Sequence, residues 1–414
     1  MTQPLIRQIL DYENRADPYP LYAKLRETPV LHDGHGTYVV STYWEILSLL
    51  HDPRVSSDRR KRTVQDIYGM TEDGGEGGEG ATLPPPFLRL DPPEHDRLRT
   101  VTNRSFGPPH SPRRVLEMRG ELEAVVSGLI DGIEDTGRID LVEQFSYPFP
   151  VTAICRLLGV PREDEARFHT WADTLAASLD PMPGEDPTER NQRTRDAQLQ
   201  LGGYLAGLIE ERRSRPGDDM LSALAAGSGA DDTLSTMEAI TTAALLLIAG
   251  HETTVNLITN GMLTLLRNPE VLKRLRDDPL LAPRIVEELL RYEPPVQLMP
   301  NRTAVADIDI GGLTIPSGAA LWLVPGSGNR DPRRFADPDR FDPDREDIEH
   351  LGFGSGIHIC FGAPLARQET ELALIHLARR LHNPRLLEDP PPYRSNAVLR
   401  GPRHLYLGCD DIRP

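Results

Sequence analysis

The sequence contains few cysteines and no long apolar run. Cys155, Cys360 and Cys409 are the three cysteines among 414 residues. Cysteines so few and so widely spaced do not form a disulfide framework and are typical of a protein in a reducing compartment. The longest apolar run, residues 243–249, is far shorter than the roughly 20 residues of a membrane helix. Because the first residues also lack the pattern of a signal peptide, we expect a cytoplasmic protein.

Positive charge is scarce as well. The chain has 46 Lys and Arg against 63 Asp and Glu, which gives a formal net charge of -17. Such a field repels nucleic acids and anionic membranes, so neither is expected as a partner. No G-x-G-x-x-G opens a predicted helix after a predicted strand, so the fingerprint of flavin and nicotinamide sites is also missing. Electrons for any redox reaction would therefore come from another protein.

Proline and glycine, 38 and 34 residues, separate many stretches of helical periodicity. The longest predicted helix covers about residues 234–267, with capping-box spacing between Ser235 and Glu238 and a stop at Asn268-Pro269. Its middle is apolar on most sides, so it should cross the interior. We expect a mainly α fold with small β-sheets, forming one domain over residues 1–414.

Other segments complete this outline. A Gly- and Pro-rich stretch, residues 73–86, is predicted to be a long loop, and residues 181–187 to separate two helices. Another helix should end before Pro294-Pro295. The remaining predicted elements are a helix over residues 194–213 that buries Leu199, Tyr204 and Ile209, a last helix over residues 363–381 that buries Leu365, Leu372 and Leu377, and strands over residues 306–310 and 313–315.

The most informative segment is FGSGIHICFG, residues 353–362. Its three glycines allow the backbone to turn sharply and to approach a flat partner. Cys360 precedes the last predicted helix, whose unpaired N–H groups favour a thiolate, and a thiolate can bind haem iron. An inert thiol and a zinc site are the alternatives, although zinc would need two ligands besides His358 and Cys360. The cysteine alone leaves the choice open.

At every fixed position, this segment resembles the haem-binding loop F-G-x-G-x-H-x-C-x-G of the cytochrome P450 superfamily. The resemblance is to soluble, actinomycete-like bacterial members and runs from Pro18 to the end of the chain. It implies the cytochrome P450 fold and haem b as the cofactor. It also implies that Cys360 is the axial iron ligand, within a haem loop that includes Phe353 and Gly362.

The haem propionates need positive or hydrogen-bonding partners. Within residues 91–99, His95 and Arg99 lie one helical turn apart, which by itself is also what a solvated helix face shows. The pair resembles the family's H-x-x-x-R motif and is therefore implied to bind a propionate. Arg302 and His358 fall where the family has two further propionate partners.

A glycine and two threonines stand inside the longest predicted helix, in AGHETT, residues 249–254. Glycine there costs about 1 kcal/mol relative to alanine, and Thr253 can bond back to a carbonyl and bend the helix. We predict that the segment interrupts the helix beside a buried groove; a surface turn is the alternative. It resembles the family's A/G-G-x-D/E-T motif, which implies that Thr253 steadies the activated oxygen and that Glu252 relays protons. His251 occupies a variable position and receives no role.

Glu288 and Arg291 share a helix face, but Glu287 is four residues from Arg291, so spacing cannot choose between the two acids. An exposed pair of this kind is worth well under about 1 kcal/mol. The family's E-x-x-R motif selects Glu288. Residues 338–341 resemble its P-x-R-F segment, which implies that Arg340 completes a buried structural network under the cysteine loop.

The resemblance implies a monooxygenase that inserts one oxygen atom from O2 into a bulky, hydrophobic, natural-product-like or steroid-like substrate. Hydroxylation or epoxidation would result, with electrons from a ferredoxin and its reductase. A peroxide-using or C–C coupling member and a non-catalytic haem-thiolate sensor are alternatives that the intact Glu252–Thr253 pair disfavours. A helical protein without haem is a further one.

Two sets of residues follow from this function. Ferredoxin docking is predicted at a cationic patch, with ordinary solvated arginines as the alternative: Arg104, Arg113, Arg114 and Arg367. The substrate wall is expected to be apolar, although its residues fit a plain core equally well: Phe87, Leu88, Leu245, Ile248, Ala249, Leu298, Met299 and Val398.

Overall fold

The structure, a computed structural model, describes residues 4–64, 84–106, 113–178, 186–226 and 234–413. Within these ranges the chain is mainly helical. Its α-helices are α1 (Leu5–Leu10), α2 (Tyr19–Arg26), α3 (Tyr43–Leu50), α4 (Glu94–Phe106), α5 (Arg113–Glu117), α6 (Arg119–Asp131), α7 (Pro148–Leu158), α8 (Glu165–Ser178), α9 (Pro187–Ser214), α10 (Met220–Ala226), α11 (Thr236–Arg267), α12 (Pro269–Asp277), α13 (Ala282–Tyr292), α14 (Pro325–Gly328) and α15 (Ala363–Arg380).

The strands are short and form small sheets, as predicted. They are β1 (Val30–His32), β2 (Thr37–Val40), β3 (Val55–Ser56), β4 (Ile139–Asp140), β5 (Met299–Ala304), β6 (Ile308–Ile310), β7 (Leu313–Ile315), β8 (Ala320–Leu323), β9 (Leu381–His382), β10 (Arg385–Leu386), β11 (Tyr406–Gly408) and β12 (Asp411–Ile412). The largest sheet has the order β1-β2-β8-β5-β3, with β2 and β8 parallel and the other neighbours antiparallel. The smaller sheets are β10-β11-β4, β12-β9 and β6-β7.

Helix α11 crosses the interior, as its apolar middle predicted. The Ser235 hydroxyl accepts from Glu238 N, and the Glu238 carboxylate accepts from Ser235 N, so the predicted capping box is present. The helix ends at Arg267, before Asn268. It packs against α7, α9 and α15, and most of its side chains are buried. The functional residues on α11 are thereby held between elements that are far apart in sequence.

The sequence-based outline is confirmed for several elements and wrong at a few positions. Helix α15 buries Leu365, Leu372 and Leu377 as predicted. Leu199 was predicted to be buried, but it is 65% exposed because α9 turns Leu201, Leu205 and Leu208 inward instead.

The first predicted strand begins two residues too early. Residues 306 and 307 were predicted to be strand, but they form a bend and an irregular position before β6. Gly311 and Gly312, both at positive φ, make the turn between β6 and β7, which suits a tight hairpin.

Some predicted segments are not covered by the described residues. Of the predicted loop over residues 73–86, positions 73–83 lie outside the described residues, as do positions 181–185. The assignment of residues 1–414 to one domain stays a prediction.

Candidate haem-thiolate site

The cysteine loop depends on left-handed glycines. Gly354 and Gly356 both have φ of +68°, a conformation that other residues rarely adopt. A Cβ added at Gly356 would also lie 2.2 Å from the carbonyl oxygen of Leu50, on α3. The loop then closes on itself, because Cys360 N donates to Phe353 O at 2.9 Å. These constraints fix the backbone on both sides of the cysteine.

The Cys360 thiol faces the start of α15. Burial raises the pKa of Cys360, while the N–H groups of Gly362 and Ala363 and the charges of Arg99 and Arg367 act in the opposite direction. The side chain lies deep among protein atoms and yet still opens onto accessible space. Gly362 has an ordinary φ, and a Cβ there would meet nothing within 4 Å. The sulfur thus sits at the floor of an open recess, among groups that favour a thiolate.

The predicted propionate partners come together beside this loop. The His95 and His358 rings lie 4.4 Å apart, and Arg99 donates to Ile359 O at 2.6 Å. Burial, together with the charges of Arg302 and His95, lowers the pKa of His358 to about 3. Burial lowers the pKa of Arg302 to about 10, against the attraction of Asp91. All four predicted residues therefore belong to one electrostatic cluster.

Unpartnered nitrogen atoms test whether this cluster fits a haem. His95 Nε2 and His358 Nδ1 are buried and have no hydrogen-bond partner within the described part of the chain. Leaving such groups unpaired costs about 1–3 kcal/mol each, so they need a ligand or water. Two imidazoles and two guanidinium groups beside a recessed thiol suit a flat group with an iron atom and two carboxylates. The residues present fit haem b.

Glu252 and Thr253 lie on α11, which remains an unbroken α-helix through residues 249–254. The predicted interruption is therefore wrong. The predicted back-bond is present, since the Thr253 hydroxyl donates to Ala249 O at 2.7 Å while the helical ladder continues around it. A Cβ at Gly250 would meet Ile154 on α7 at 3.5 Å, an ordinary contact, so the glycine is not required by this packing.

Glu252 is buried, 4% exposed, and has two polar neighbours that sequence reasoning missed. Asn256 Nδ2 donates to Glu252 Oε1 at 3.3 Å, and Arg394 Nε lies 3.0 Å from the same oxygen. The i,i+4 spacing of Glu252 and Asn256 could have indicated the first contact. Arg394 is 142 positions away, and no local pattern marks it. A cation from a distant part of the chain thus lies beside the buried acid.

The buried ion pair under the site is Glu288–Arg291, as the resemblance implied. Arg291 donates to both carboxylate oxygens of Glu288 at 2.7 Å, and both side chains are 0% exposed. Arg291 also donates to the carbonyls of Asn329, Pro338 and Arg340. Glu287, the competing acid, pairs with Arg367 and His350 instead.

The third member of this network is Arg345, and the assignment of Arg340 is wrong. The Arg340 side chain is 69% exposed, and only its backbone carbonyl accepts from Arg291. Arg345 Nε donates to Glu288 Oε1 at 3.1 Å, and Asp342 N donates to the same oxygen at 2.8 Å. The turn after residue 341 brings the later arginine inward, a reversal that the P-x-R-F spacing does not encode.

Replacing Arg345 with alanine is expected to destabilise the protein by roughly 2 kcal/mol, because the buried Glu288 carboxylate loses one charged donor. Arg340→Ala is the matched control and should change stability by less than about 0.5 kcal/mol, as surface substitutions usually do. Thermal unfolding of the two variants checks the difference. Equal melting temperatures would contradict the assignment of Arg345.

The residues of the predicted substrate wall are spread over several places. Leu245 and Ile248 are partly buried and Ala249 is exposed, on the same helix as Thr253. Leu298 is buried and Val398 partly buried, in a cluster with α1 and α2, and a Cβ at Gly354 would lie 3.6 Å from Met299 Cε. Phe87 packs near His95 and Phe361, on the side of the propionate cluster, and Leu88 is 41% exposed.

Most of the predicted docking cations have acidic partners. Arg113 pairs with Glu117, Arg114 with Asp218, and Arg367 with Glu287. Arg104 is exposed near the end of α4. The positive charge of this patch is thus partly offset by acids of the same chain.

Comparison with known proteins gives the same family as the sequence motifs. The family model described as "Cytochrome P450" matches residues 164–407. The chain is 39% identical to cytochrome P450 monooxygenase PikC of Streptomyces venezuelae, over 93% of this chain and 89% of that protein. It is 38% identical to a vitamin D(3) 25-hydroxylase of Pseudonocardia autotrophica, over 93% and 92% respectively.

Solved structures agree in fold. The ligand-free crystal structure of CYP164A2 from Mycobacterium smegmatis superposes with a TM-score of 0.85 at 40% identity, covering 98% of this chain and 100% of that one.

No helix in the described ranges combines the length and the apolar composition that crossing a membrane requires.

Proposed function

This chain belongs to the cytochrome P450 family of monooxygenases, and from that premise we propose that it oxidises a bulky hydrophobic substrate with O2 and electrons from a ferredoxin. The product would carry one added oxygen atom, by hydroxylation or epoxidation. Members of the family bind haem b. When bound, the haem supplies a thiolate-ligated iron at which O2 is activated.

Five side chains would hold that group. Cys360 would bind the iron through its sulfur, at the N-terminal end of α15. The unpartnered nitrogens of His95 and His358 would donate to the propionates. The guanidinium groups of Arg99 and Arg302 would neutralise the two carboxylates, which is the arrangement that a buried anion needs.

The observation that carries the proposal is the intact pair of Glu252 and Thr253 on α11. The Thr253 hydroxyl donates its hydrogen bond to Ala249 O, which leaves its oxygen able to accept a hydrogen bond from water. Glu252 is buried near Arg394, so it can move a proton inward only by way of water or side-chain rotation. A non-catalytic sensor would have no use for such a pair.

A bulky apolar substrate is supported by what lines α11 before the pair. Leu245 lies about two turns and Ile248 about one turn before Glu252, and both are only partly buried by protein. Apolar walls with few polar groups are typical of sites for hydrophobic ligands. One relative is a vitamin D(3) 25-hydroxylase, whose name specifies a large apolar substrate. We propose a polycyclic or macrocyclic molecule of comparable size.

A separate electron donor is required because the chain has no fingerprint for a flavin or nicotinamide. We propose a small acidic ferredoxin that docks near Arg104, Arg113, Arg114 and Arg367. The three cysteines are free thiols in the structure, which suits a reducing, cytoplasmic location.

A reduced carbon monoxide spectrum of the purified protein tests the thiolate assignment. We expect a Soret band at the red-shifted position that thiolate ligation produces. Spectral titration with polycyclic and macrocyclic compounds would then identify a ligand, and a ferredoxin with its reductase should convert that ligand to a product heavier by one oxygen atom. A histidine-type band, or binding without oxygen insertion, would overturn the proposal.

Glu252→Gln is expected to lower kcat by about 10²-fold, the lower end of what a positioned proton-transfer group contributes. KM should stay unchanged, because Glu252 contacts Asn256 and Arg394 rather than the apolar wall. The solvent isotope effect on kcat should rise. Glu270→Gln, an exposed site on α12, is the control and should retain wild-type values. Unchanged turnover in Glu252→Gln would contradict the proton-relay role.

A further inference from the structure

A group of buried polar atoms lies on the side of α11 that packs against residues 142–158. Residues Val142–Ser146 form a π-helical turn, Tyr147 follows it, and the turn packs against α11. Ser146 Oγ, Tyr147 Oη and His251 Nε2 are buried and have no hydrogen-bond partner among the described residues. Ser146 is 0% exposed and His251 is 1% exposed. Turns of this π type recur at functional sites, and none of the functions assigned above uses these atoms.

Two ring contacts connect this group with α8. The Tyr147 ring lies edge-on to the His251 ring, with centroids 4.4 Å apart and an interplanar angle of 85°. The centroid of the Tyr147 ring also lies 6.2 Å from that of His169, on α8. His169 is only partly buried, whereas His251 is fully enclosed. These contacts therefore connect a partly buried residue with the residue that precedes Glu252.

His251 is electrically neutral and lies close to the acid. Burial, with smaller contributions from the charges of His169 and Arg394, lowers the pKa of His251 to about 3. A neutral imidazole offers one donor and one acceptor, which suits water better than an anion. Arg394 acts on His251 through its charge and is also the ion-pair partner of Glu252. The cluster thus borders the buried acid.

Tyr147 and His251 bring two unpartnered polar groups into ring contact, and Ser146, which precedes Tyr147 in the chain, adds a third group that needs a ligand. Each costs about 1–3 kcal/mol if it stays unpaired, and native proteins commonly satisfy such groups with ordered water that makes about three hydrogen bonds. The atoms belong to a hydroxyl, a phenol and an imidazole, all of which bond to water. We propose that Ser146, Tyr147 and His251 bind ordered water behind α11, and that this water, reached past His169, supplies the protons that Glu252 relays.

The proton balance of the reaction requires such a supply. Inserting one atom of O2 and reducing the other to water takes two electrons and two protons. The electrons come from the ferredoxin and the protons from solvent. Glu252 ends each cycle in its starting state, so every proton that it gives must be replaced through a hydrated path. This inference rests on the role proposed for Glu252, and the experiments below separate the two.

A crystal structure of the haem-loaded protein tests the water directly. We expect at least one ordered water within about 2.7–3.2 Å of both His251 Nε2 and Tyr147 Oη. In Tyr147→Phe, which removes a single oxygen atom, that water should be lost or displaced. A pocket without water in the wild-type protein would overturn the proposal.

Kinetics test its connection to catalysis. Tyr147→Phe and His251→Gln are each expected to lower the product formed per electron pair by about threefold to tenfold, part of what full proton transfer contributes. The solvent isotope effect should rise, while KM and the carbon monoxide band stay unchanged. Tyr43→Phe is the matched control, because the Tyr43 hydroxyl donates to Glu349 O and is not part of the group around Tyr147 and His251. If His251→Gln fails to bind haem, Tyr147→Phe still provides the test.

The two proposals fail differently. If Glu252→Gln leaves turnover and the isotope effect unchanged, the role of Glu252 is wrong. If Glu252→Gln slows turnover but Tyr147→Phe and His251→Gln retain wild-type coupling and isotope effect, the water pocket alone is wrong.

Discussion

Replacing Cys360 with alanine is expected to abolish the thiolate-type carbon monoxide band and all oxygen insertion. Burial raises the pKa of the Cys360 thiol, and the N–H groups of Gly362 and Ala363 and the charge of Arg99 oppose that effect where the sulfur would meet the iron. Alanine keeps the loop backbone but removes the ligand that pushes electron density onto the iron. Haem content should fall but not vanish, since His95, Arg99, Arg302 and His358 remain.

The other cysteines provide the matched controls. Cys155 is fully buried within α7, and burial raises the pKa of its thiol to about 12, so it stays protonated and unreactive. Cys155→Ala and Cys409→Ala should therefore keep the band and the activity, apart from a modest loss of stability. Absorption of reduced protein under carbon monoxide makes the comparison. A wild-type band in Cys360→Ala, or its loss in Cys155→Ala, would contradict the assignment of the ligand.

Replacing Glu288 with glutamine is expected to destabilise the protein by about 3–5 kcal/mol. The substitution is nearly isosteric, but it leaves the fully buried Arg291 guanidinium without its countercharge. Arg345 and the N–H of Asp342 lose a charged acceptor at the same time. The network also holds the chain before the cysteine loop, because Arg291 donates to Asn329 O and Asn329 Oδ1 accepts from Leu351 N. Haem content should fall together with the melting temperature.

Glu287→Gln is the control for this experiment. Burial alone would raise the pKa of Glu287, but hydrogen bonds from His350 and Arg367 lower it to about 2, so the carboxylate is ionised and paired. The Glu287 and Arg367 side chains are 31% and 39% exposed, and ion pairs so near the surface contribute about 1 kcal/mol or less. Thermal unfolding and haem content are measured on both variants. Equal losses would show that burial does not distinguish the two acids.

A double substitution sharpens the test. Replacing both partners of a buried ion pair by apolar residues is often close to neutral. Here Glu288→Leu combined with Arg291→Met should not recover stability, because three backbone carbonyls would lose the donor that Arg291 provides. Full recovery would mean that the pair itself, and not the loop it holds, is what Glu288 contributes.

The sequence by itself determined those features that depend on short segments. The left-handed turns at Gly354 and Gly356, the capping box at Ser235 and the back-bond of Thr253 all involve residues within four positions of each other, and each was predicted or is implied by its pattern. The haem-loop and H-x-x-x-R motifs of the family also identified the residues that assemble beside Cys360, because binding haem requires particular residue types at fixed spacings.

Only the tertiary structure decided which distant residues complete the site. Arg394 reaches Glu252 from 142 positions away, and Arg345 rather than Arg340 reaches Glu288, because the path of the backbone between them decides which side chain turns inward. The same is true of Tyr147 and His251, which look unrelated in sequence and lie in ring contact. Local periodicity carries no information on such pairs, since the contact depends on how whole helices pack against α11.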